Sequence, residues 1–152
     1  LAQVMAYARA HWRTVKVRAT SIGAYFAQLA FAAPEKALFV SPVADMERLI
    51  CDRIRAAGIT EDKLRVLGEY PAEEGDMLSW DYLCWVRMHP VYDWKCPMHI
   101  LCGENDSMTA LSTIRAYAEK RSAELTILPH GEHWFHTPEQ LAAMTAWERK
   151  NT

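Results

Sequence analysis

Two spacings of apolar residues alternate along this chain. Short segments rich in β-branched residues, one of them alternating with charged side chains, have the pattern of strands. Longer segments repeat apolar residues every three or four positions, which is the period of a helix with one buried face. The first pattern predicts strands at 14–20, 36–42, 97–102 and 124–129.

Helical segments flank and separate these strands. They are predicted at 1–11, 22–33, 109–121 and 138–149. The last carries a start signal, because Thr137 is suited to cap it, Pro138 to open its first turn and Gln140 to complete a capping box. Strands that alternate with helices in this way predict an α/β fold, in which a parallel sheet is covered on both faces.

The segment 43–96 interrupts the alternation between the second and third strands. Its pattern predicts helices at about 45–57, 61–67 and 76–88, with a turn at Pro71–Gly75. A connection this long between two strands usually has a function of its own, and here it predicts a helical cap or lid at the active-site end of the sheet. Residues 1–152 are therefore predicted to form one domain that carries this insertion.

The composition excludes several classes of protein. The net charge is −2, so neither nucleic acid nor an anionic membrane surface is an expected partner. The chain lacks a run of about 20 apolar residues, the length that a membrane-spanning helix needs. Its 4 cysteines form no C-x-x-C pair, which argues against a zinc site and favours reduced thiols in a cytoplasmic protein.

Ser21 is the candidate nucleophile, since it lies where the first strand meets the following helix. A serine on a tight strand-to-helix turn presents its hydroxyl away from the backbone. The N–H of Ile22, at the start of the helix, can then donate to a developing oxyanion. The alternative interpretation of Ser21 is a helix N-cap, a position that serine favours.

The segment VRATSIGAYFAQLAF resembles the nucleophile elbow of the alpha/beta-hydrolases, G-x-S-x-G, with Ala19 in place of the first glycine. In that family the acid and the histidine follow the serine in sequence. The segment GEND ends in Asp106, and GEHWFHTPEQ contains His133, each after a predicted strand. The resemblance covers essentially the whole chain and implies the alpha/beta-hydrolase fold, a triad of Ser21, Asp106 and His133, and no cofactor.

Other interpretations of these residues stay open. Asp106 also fits a solvated turn or the cap of the next helix. Some members of the family take their acid from the preceding strand, which here would be Asp45, although Asp45 also suits a helix N-cap. His130 and His136 lie near His133, but without helical spacing or a second cluster they do not predict a metal site.

Three aromatic residues are candidates for a substrate pocket. Tyr82 and Trp85 share an apolar face of a predicted helix in the insertion, and Trp134 follows His133. An apolar stripe on a helix usually packs into a core. The functional alternative is an aromatic wall around the acyl group of a small-molecule substrate.

The resemblance implies a serine hydrolase that cleaves a carboxylic ester or thioester through an acyl-enzyme. Acyl transfer and peptide-bond cleavage use the same triad, and a non-catalytic binding domain with this fold is a further alternative. A nucleotide-binding domain is disfavoured, because neither G-x-G-x-x-G nor G-x-x-x-x-G-K is present.

The resemblance also implies that this is a C-terminal portion, since the family's sheet usually has more strands ahead of the elbow. The strand at 14–20 is then expected at an exposed edge, where it pairs with the N-terminal half of the same protein or with a partner chain. In the family an early loop supplies the second oxyanion donor, so the isolated chain is expected to be a weak or inactive enzyme.

Overall fold

A computed structural model describes residues 1–72 and 75–152. The helices are α1 (Ala2–His11), α2 (Ile22–Ala30), α3 (Met46–Ala56), α4 (Glu61–Leu67), α5 (Trp80–Met88), α6 (Leu111–Arg121) and α7 (Pro138–Asn151). The strands are β1 (Lys16–Thr20), β2 (Lys36–Val40), β3 (Glu69–Pro71), β4 (Met77–Ser79), β5 (Met98–Gly103) and β6 (Glu124–Leu128). These elements form two compact units, one of Leu1–Ala44 with Val91–Thr152 and one of Asp45–Pro90.

The first unit is built on a four-stranded parallel sheet in the order β1-β2-β5-β6. This confirms the predicted α/β fold with a parallel sheet. Because all four strands run the same way, the turns after Thr20, Val40, Gly103 and Leu128 lie at one end of the sheet. The fold therefore gathers the segments that follow β1, β5 and β6, where the candidate site residues are.

The central strands β2 and β5 are buried on both faces. On one face Phe39 and Ile100 pack with Trp94 and with apolar residues of α2 and α6. On the other face Leu101 packs against Trp147 of α7. Burying a large apolar side chain contributes about 1.5–3 kcal/mol, so this core holds the strand order and, through it, the ends of the strands.

The second unit contains α3, α4, the β3–β4 hairpin and α5. Leu64 and Leu83 are its fully buried leucines. The guanidinium of Arg87 on α5 donates to Glu47 of α3 at 2.7 Å and to Glu61 of α4 at 2.9 Å. One side chain thus joins three helices of this unit.

The predicted helix at 76–88 is wrong at its start. Residues Met77–Ser79 form β4, which pairs antiparallel with β3, and α5 begins only at Trp80. The Ser79 hydroxyl caps α5 by accepting from the N–H of Tyr82 at 3.3 Å. A three-residue strand is stabilised by its pairing partner rather than by its own periodicity, which is why the pattern missed it. The predicted turn at Pro71–Gly75 includes residues 73 and 74, which lie outside the described residues.

Smaller differences arise at the ends of two other helices. Helix α2 ends at Ala30 rather than at residue 33, because Phe31 is extended and its carbonyl accepts from the indole N–H of Trp94 at 2.9 Å. Helix α6 begins at Leu111 rather than at residue 109. In the described part of the chain, no helix combines the length and the apolar character that crossing a membrane requires.

Candidate active site

Ser21 occupies the turn between β1 and α2 in an uncommon backbone conformation, with φ 51° and ψ −127°. A residue other than glycine held with positive φ costs about 1–3 kcal/mol, which the surroundings must offset. The Ser21 N–H donates to the carbonyl of Val40 at 3.0 Å, and the Ser21 carbonyl accepts from the N–H groups of Ala24 and Val43, both at 3.1 Å. These three hydrogen bonds hold the turn in place.

The Ser21 hydroxyl does not cap the helix, so the N-cap interpretation of its side chain is wrong. Instead its Oγ lies 2.8 Å from Nε2 of His133, and both residues are buried. A serine and an imidazole within hydrogen-bonding distance form a nucleophile and base pair, since the ring can take the hydroxyl proton.

Asp106 lies on the other side of the imidazole. Its Oδ2 is 2.8 Å from Nδ1 of His133, and its side chain is only 3% exposed. Its Oδ1 accepts from the backbone N–H groups of Met108 at 2.8 Å and Thr109 at 2.9 Å. The carboxylate therefore has both oxygens fixed, and its position selects the tautomer of His133 that leaves Nε2 free to accept from Ser21.

These backbone donors agree in part with the alternative prediction that Asp106 caps the next helix, although the N-cap residue of α6 is Ala110. An aspartate between a strand and a helix is a signal for such a turn, because its side chain accepts from backbone N–H groups two or three residues ahead. The same contacts give Asp106 its second role, since they close the turn that leads into α6.

Asp45 plays no part in this hydrogen-bonded chain. Its Oδ1 accepts from the N–H of Arg48 at 2.9 Å, so Asp45 is the N-cap of α3. Of the two acids that the sequence offered, Asp106 is the one placed against His133.

Ile22 is the first residue of α2, and its side chain is partly exposed. An α-helix provides no internal acceptor for the N–H at this position, so the group is available to an oxyanion formed at Ser21. Gly23 follows, and a Cβ placed on it would lie 4.0 Å from the Cβ of Ala19. Alanine at the first motif position thus fits against Gly23 in ordinary contact.

The neighbouring histidines have other environments. His130 is exposed, with φ 56°, and its N–H donates to Glu104 at 3.0 Å. His136 donates from Nδ1 to the carbonyl of Trp134 at 2.8 Å, and its own N–H donates to Gln140 at 3.2 Å. Thr137 caps α7 as predicted, accepting from the N–H of Gln140 at 3.2 Å, but the Gln140 side chain returns to the N–H of His136 instead of that of Thr137. Among the described residues, no three histidine, cysteine or acidic side chains are grouped as metal ligands.

All 4 cysteines are free thiols, and Cys102 is the one buried at the end of β5. Burial, with a smaller contribution from the charge of Asp106, raises the pKa of Cys102 to about 11. The thiol is protonated at neutral pH, which disfavours Cys102 as a nucleophile.

The aromatic candidates are divided between the two units. Trp134 belongs to the first unit, where its ring stands edge-on to His133 at 4.9 Å and 60% of the residue is exposed. Tyr82 and Trp85 lie on α5 of the second unit, stacked 6.2 Å apart. The role predicted for Tyr82 and Trp85 at an acyl pocket stays a prediction.

No protein-family model matches the sequence, and no curated protein matches it. Solved structures do match. Est1E from Butyrivibrio proteoclasticus aligns with a TM-score of 0.74 and 18% identity over 97% of this chain. Alpha/beta hydrolase domain-containing protein 10 from mouse aligns with a TM-score of 0.69 and 13% identity, also over 97%. The chain has the alpha/beta-hydrolase fold.

The likeness extends to a third solved structure, and the chain matches only part of the length of its neighbours. An alpha/beta serine hydrolase homologue from Coxiella burnetii aligns over 99% of this chain with 16% identity and a TM-score of 0.56. This chain spans 65% of Est1E and 66% of the mouse protein. The alpha/beta-hydrolase fold places nucleophile, acid and histidine in that order along the chain, which is the order of Ser21, Asp106 and His133.

Proposed function

We propose that this chain is the triad-bearing part of a serine hydrolase that cleaves a carboxylic ester or thioester through an acyl-enzyme. The observation that carries the proposal is the continuous chain of contacts from Ser21 Oγ to His133 Nε2 and from His133 Nδ1 to Asp106, 2.8 Å at each step. Serine, imidazole and carboxylate in this arrangement activate a hydroxyl for attack on a carbonyl carbon.

In the first half-reaction His133 takes the Ser21 proton as Oγ bonds to the substrate carbonyl carbon. The carbonyl electrons move onto oxygen, where the N–H of Ile22 donates to the oxyanion. Asp106 holds the imidazolium by accepting from Nδ1. When the oxyanion collapses, the bond to the leaving oxygen or sulfur breaks and His133 returns the proton to it.

The second half-reaction repeats these steps with water. His133 takes a proton from the water as it attacks the acyl group on Ser21. Collapse of the second oxyanion then releases the carboxylic acid and restores the Ser21 hydroxyl. Every proton transfer is between His133 and Ser21, the leaving group or water, so the proposed reaction needs no cofactor.

The substrate class is inferred from similar structures and from the aromatic ring beside His133. Among the similar structures are an esterase from Pyrococcus furiosus and Est1E with bound ferulic acid. For this chain we infer a small-molecule acyl substrate, with Trp134 beside His133 as a wall for its apolar part. Acyl transfer to an alcohol or amine and peptide cleavage remain alternatives on the same triad. Supplying such acceptors with an ester distinguishes them by the product formed.

A fluorophosphonate probe tests the nucleophile directly. The protein should form an adduct at Ser21, because the probe reacts only with a serine that a base has activated. Labelling should vanish in Ser21→Ala and fall at least about 100-fold in His133→Ala, as expected for loss of a general base. Mass spectrometry of the adduct peptide provides the measurement.

Two exposed residues provide matched controls. Ser112→Ala changes a serine of α6, and His136→Ala changes a histidine near His133; neither should alter labelling. Folded protein that stays unlabelled after long incubation, under conditions where β1 is paired, would contradict the enzyme and favour a binding domain. Labelling at a serine other than Ser21 would contradict the assigned site.

We also propose that β1 pairs with a further strand, from the N-terminal half of the same protein or from a partner chain. β1 lies at an edge of the sheet and is hydrogen-bonded to β2 alone among the described strands. An edge of this kind is a template for pairing. Without that partner the chain is expected to be a poor catalyst, since loss of one oxyanion donor costs about 100- to 1000-fold in rate.

Association is the measurable consequence. The mass of the purified chain by light scattering should rise with concentration, and amide hydrogen exchange in β1 should slow in parallel. A chain that stays monomeric at every concentration, with β1 exchanging freely and full labelling of Ser21, would contradict the need for a partner.

A further inference from the structure

We infer that Gly103 and Gly131 are positioning residues, whose contact sets the distance between Asp106 and His133. The inference rests on the proposed function for its catalytic meaning. Its structural content concerns only the two loops that follow β5 and β6, which are neighbouring parallel strands.

The two glycines approach each other so closely that neither has room for a side chain. A Cβ on Gly103 would lie 2.7 Å from the carbonyl oxygen of Glu132 and closer still to the Gly131 carbonyl. A Cβ on Gly131 would lie 3.0 Å from the Cα of Gly103. Neither glycine has a positive φ, so the requirement is for space and not for backbone conformation.

Backbone hydrogen bonds continue the pairing of the strands past their ends. The N–H of Glu104 donates to Leu128 at 3.0 Å, and the N–H of Asn105 donates to the carbonyl of Gly131 at 2.8 Å. The second of these bonds joins the residue before Asp106 to a carbonyl two residues before His133. The loops are therefore joined directly beside the two side chains that must meet.

Only a few residues separate each glycine from its catalytic side chain, so the contact between the glycines fixes the positions of both side chains. Asp106 follows Gly103 by three residues, and His133 follows Gly131 by two. A methyl group on Gly103 would meet backbone atoms, which cannot rotate away as a side chain does. The Gly131 carbonyl would have to move, and with it the Asn105 bond and the 2.8 Å contact of His133 with Asp106. A displacement of about 1 Å at a catalytic group can lower the rate about 100-fold.

Proton NMR of the His133 Nδ1–H tests this without using activity. A proton held between an imidazole and a carboxylate resonates far downfield, and His133→Gln assigns the signal by removing it. Gly103→Ala should lose the signal while circular dichroism stays that of a folded protein. Gly131→Ala, with its milder contacts, should weaken the signal. Gly58→Ala is the control for strain away from the site: a Cβ there meets nothing within 4 Å, but alanine is strained at φ 68°, so the variant should lose stability and still keep the signal.

Kinetics add a second readout. If Ser21 reacts with the probe, Gly103→Ala should slow labelling about 100-fold with little change in the probe concentration that half-saturates the rate. If the wild-type protein shows the His133 resonance but the probe does not label Ser21, the proposed function is overturned, while the NMR of the glycine variants still supports the positioning role. An unchanged signal in Gly103→Ala would overturn the positioning role. Loss of the fold in both glycine variants would also overturn it, because the contact would then serve folding.

Discussion

At the scale of single residues, the strand ends were the informative positions. Ser21, Asp106 and His133 each follow a predicted strand, and parallel strands bring such positions together. Their spatial convergence was thus predictable. The positive φ of Ser21 was not predictable, because the hydrogen bonds that hold this turn include contacts with Val40 and Val43, which are distant in sequence.

The strain at Ser21 predicts that glycine is more stabilising than alanine at position 21, the reverse of their order in a helix. Ser21→Ala and Ser21→Gly both remove the hydroxyl, but only glycine accepts φ 51° without a Cβ penalty. The glycine variant should have the larger free energy of unfolding, by about 1 kcal/mol or more. Urea unfolding of both variants measures the difference.

A helix position offers the control for this comparison. Ala116 is an exposed residue in the middle of α6, where glycine should lower the free energy of unfolding by about 1 kcal/mol relative to alanine. If the glycine variant at position 21 also has the smaller free energy of unfolding, the turn is not strained in solution.

At the scale of elements, strong periodicity was enough to locate most of the chain. The four strands of the parallel sheet and the helices α1, α2, α6 and α7 lie where the pattern predicted them, with ends that differ by up to three residues. The β3–β4 hairpin was missed, because three-residue strands are defined by pairing and carry too few residues for a period.

The ion pairs of Arg87 make a prediction for the helices of the second unit. Arg87→Met should lower the free energy of unfolding by about 1 kcal/mol, the upper range for partly exposed pairs, because it leaves Glu47 and Glu61 without their shared partner. Arg65→Met removes only a pair within α4, with Asp62, and should cost less, about 0.3 kcal/mol. Urea unfolding monitored by far-UV circular dichroism measures both.

The pH dependence of this difference has a defined sign. The hydrogen bond from Arg87 lowers the pKa of Glu61 below its usual value. A carboxyl with a lowered pKa in the folded state contributes stability above its unfolded pKa, and this contribution is lost as the pH falls through the folded pKa. The gap between wild type and Arg87→Met should therefore narrow below about pH 4. A gap that stays constant into acid would assign the effect to packing of the arginine stem.

At the scale of the whole molecule, the sequence predicted an alpha/beta-hydrolase fold, and the similar structures agree with it. The segment predicted as a cap, 43–96, overlaps the separate unit Asp45–Pro90. Its action as a lid stays a prediction, as does the cytoplasmic location. Composition and periodicity indicate how a segment folds. Action as a lid depends on how the segment moves, and location depends on how the cell sorts the protein.

The hydrogen bond from Val43 to the Ser21 carbonyl has a consequence for anyone who edits this chain. Val43 is two residues from the start of the second unit, yet it belongs to the support of the nucleophile turn. Residues 45–90 can therefore be replaced with a short linker or a foreign domain only if the replaced segment begins after Val43. A junction placed two residues earlier would remove Val43, and with it one of the hydrogen bonds that hold the Ser21 turn.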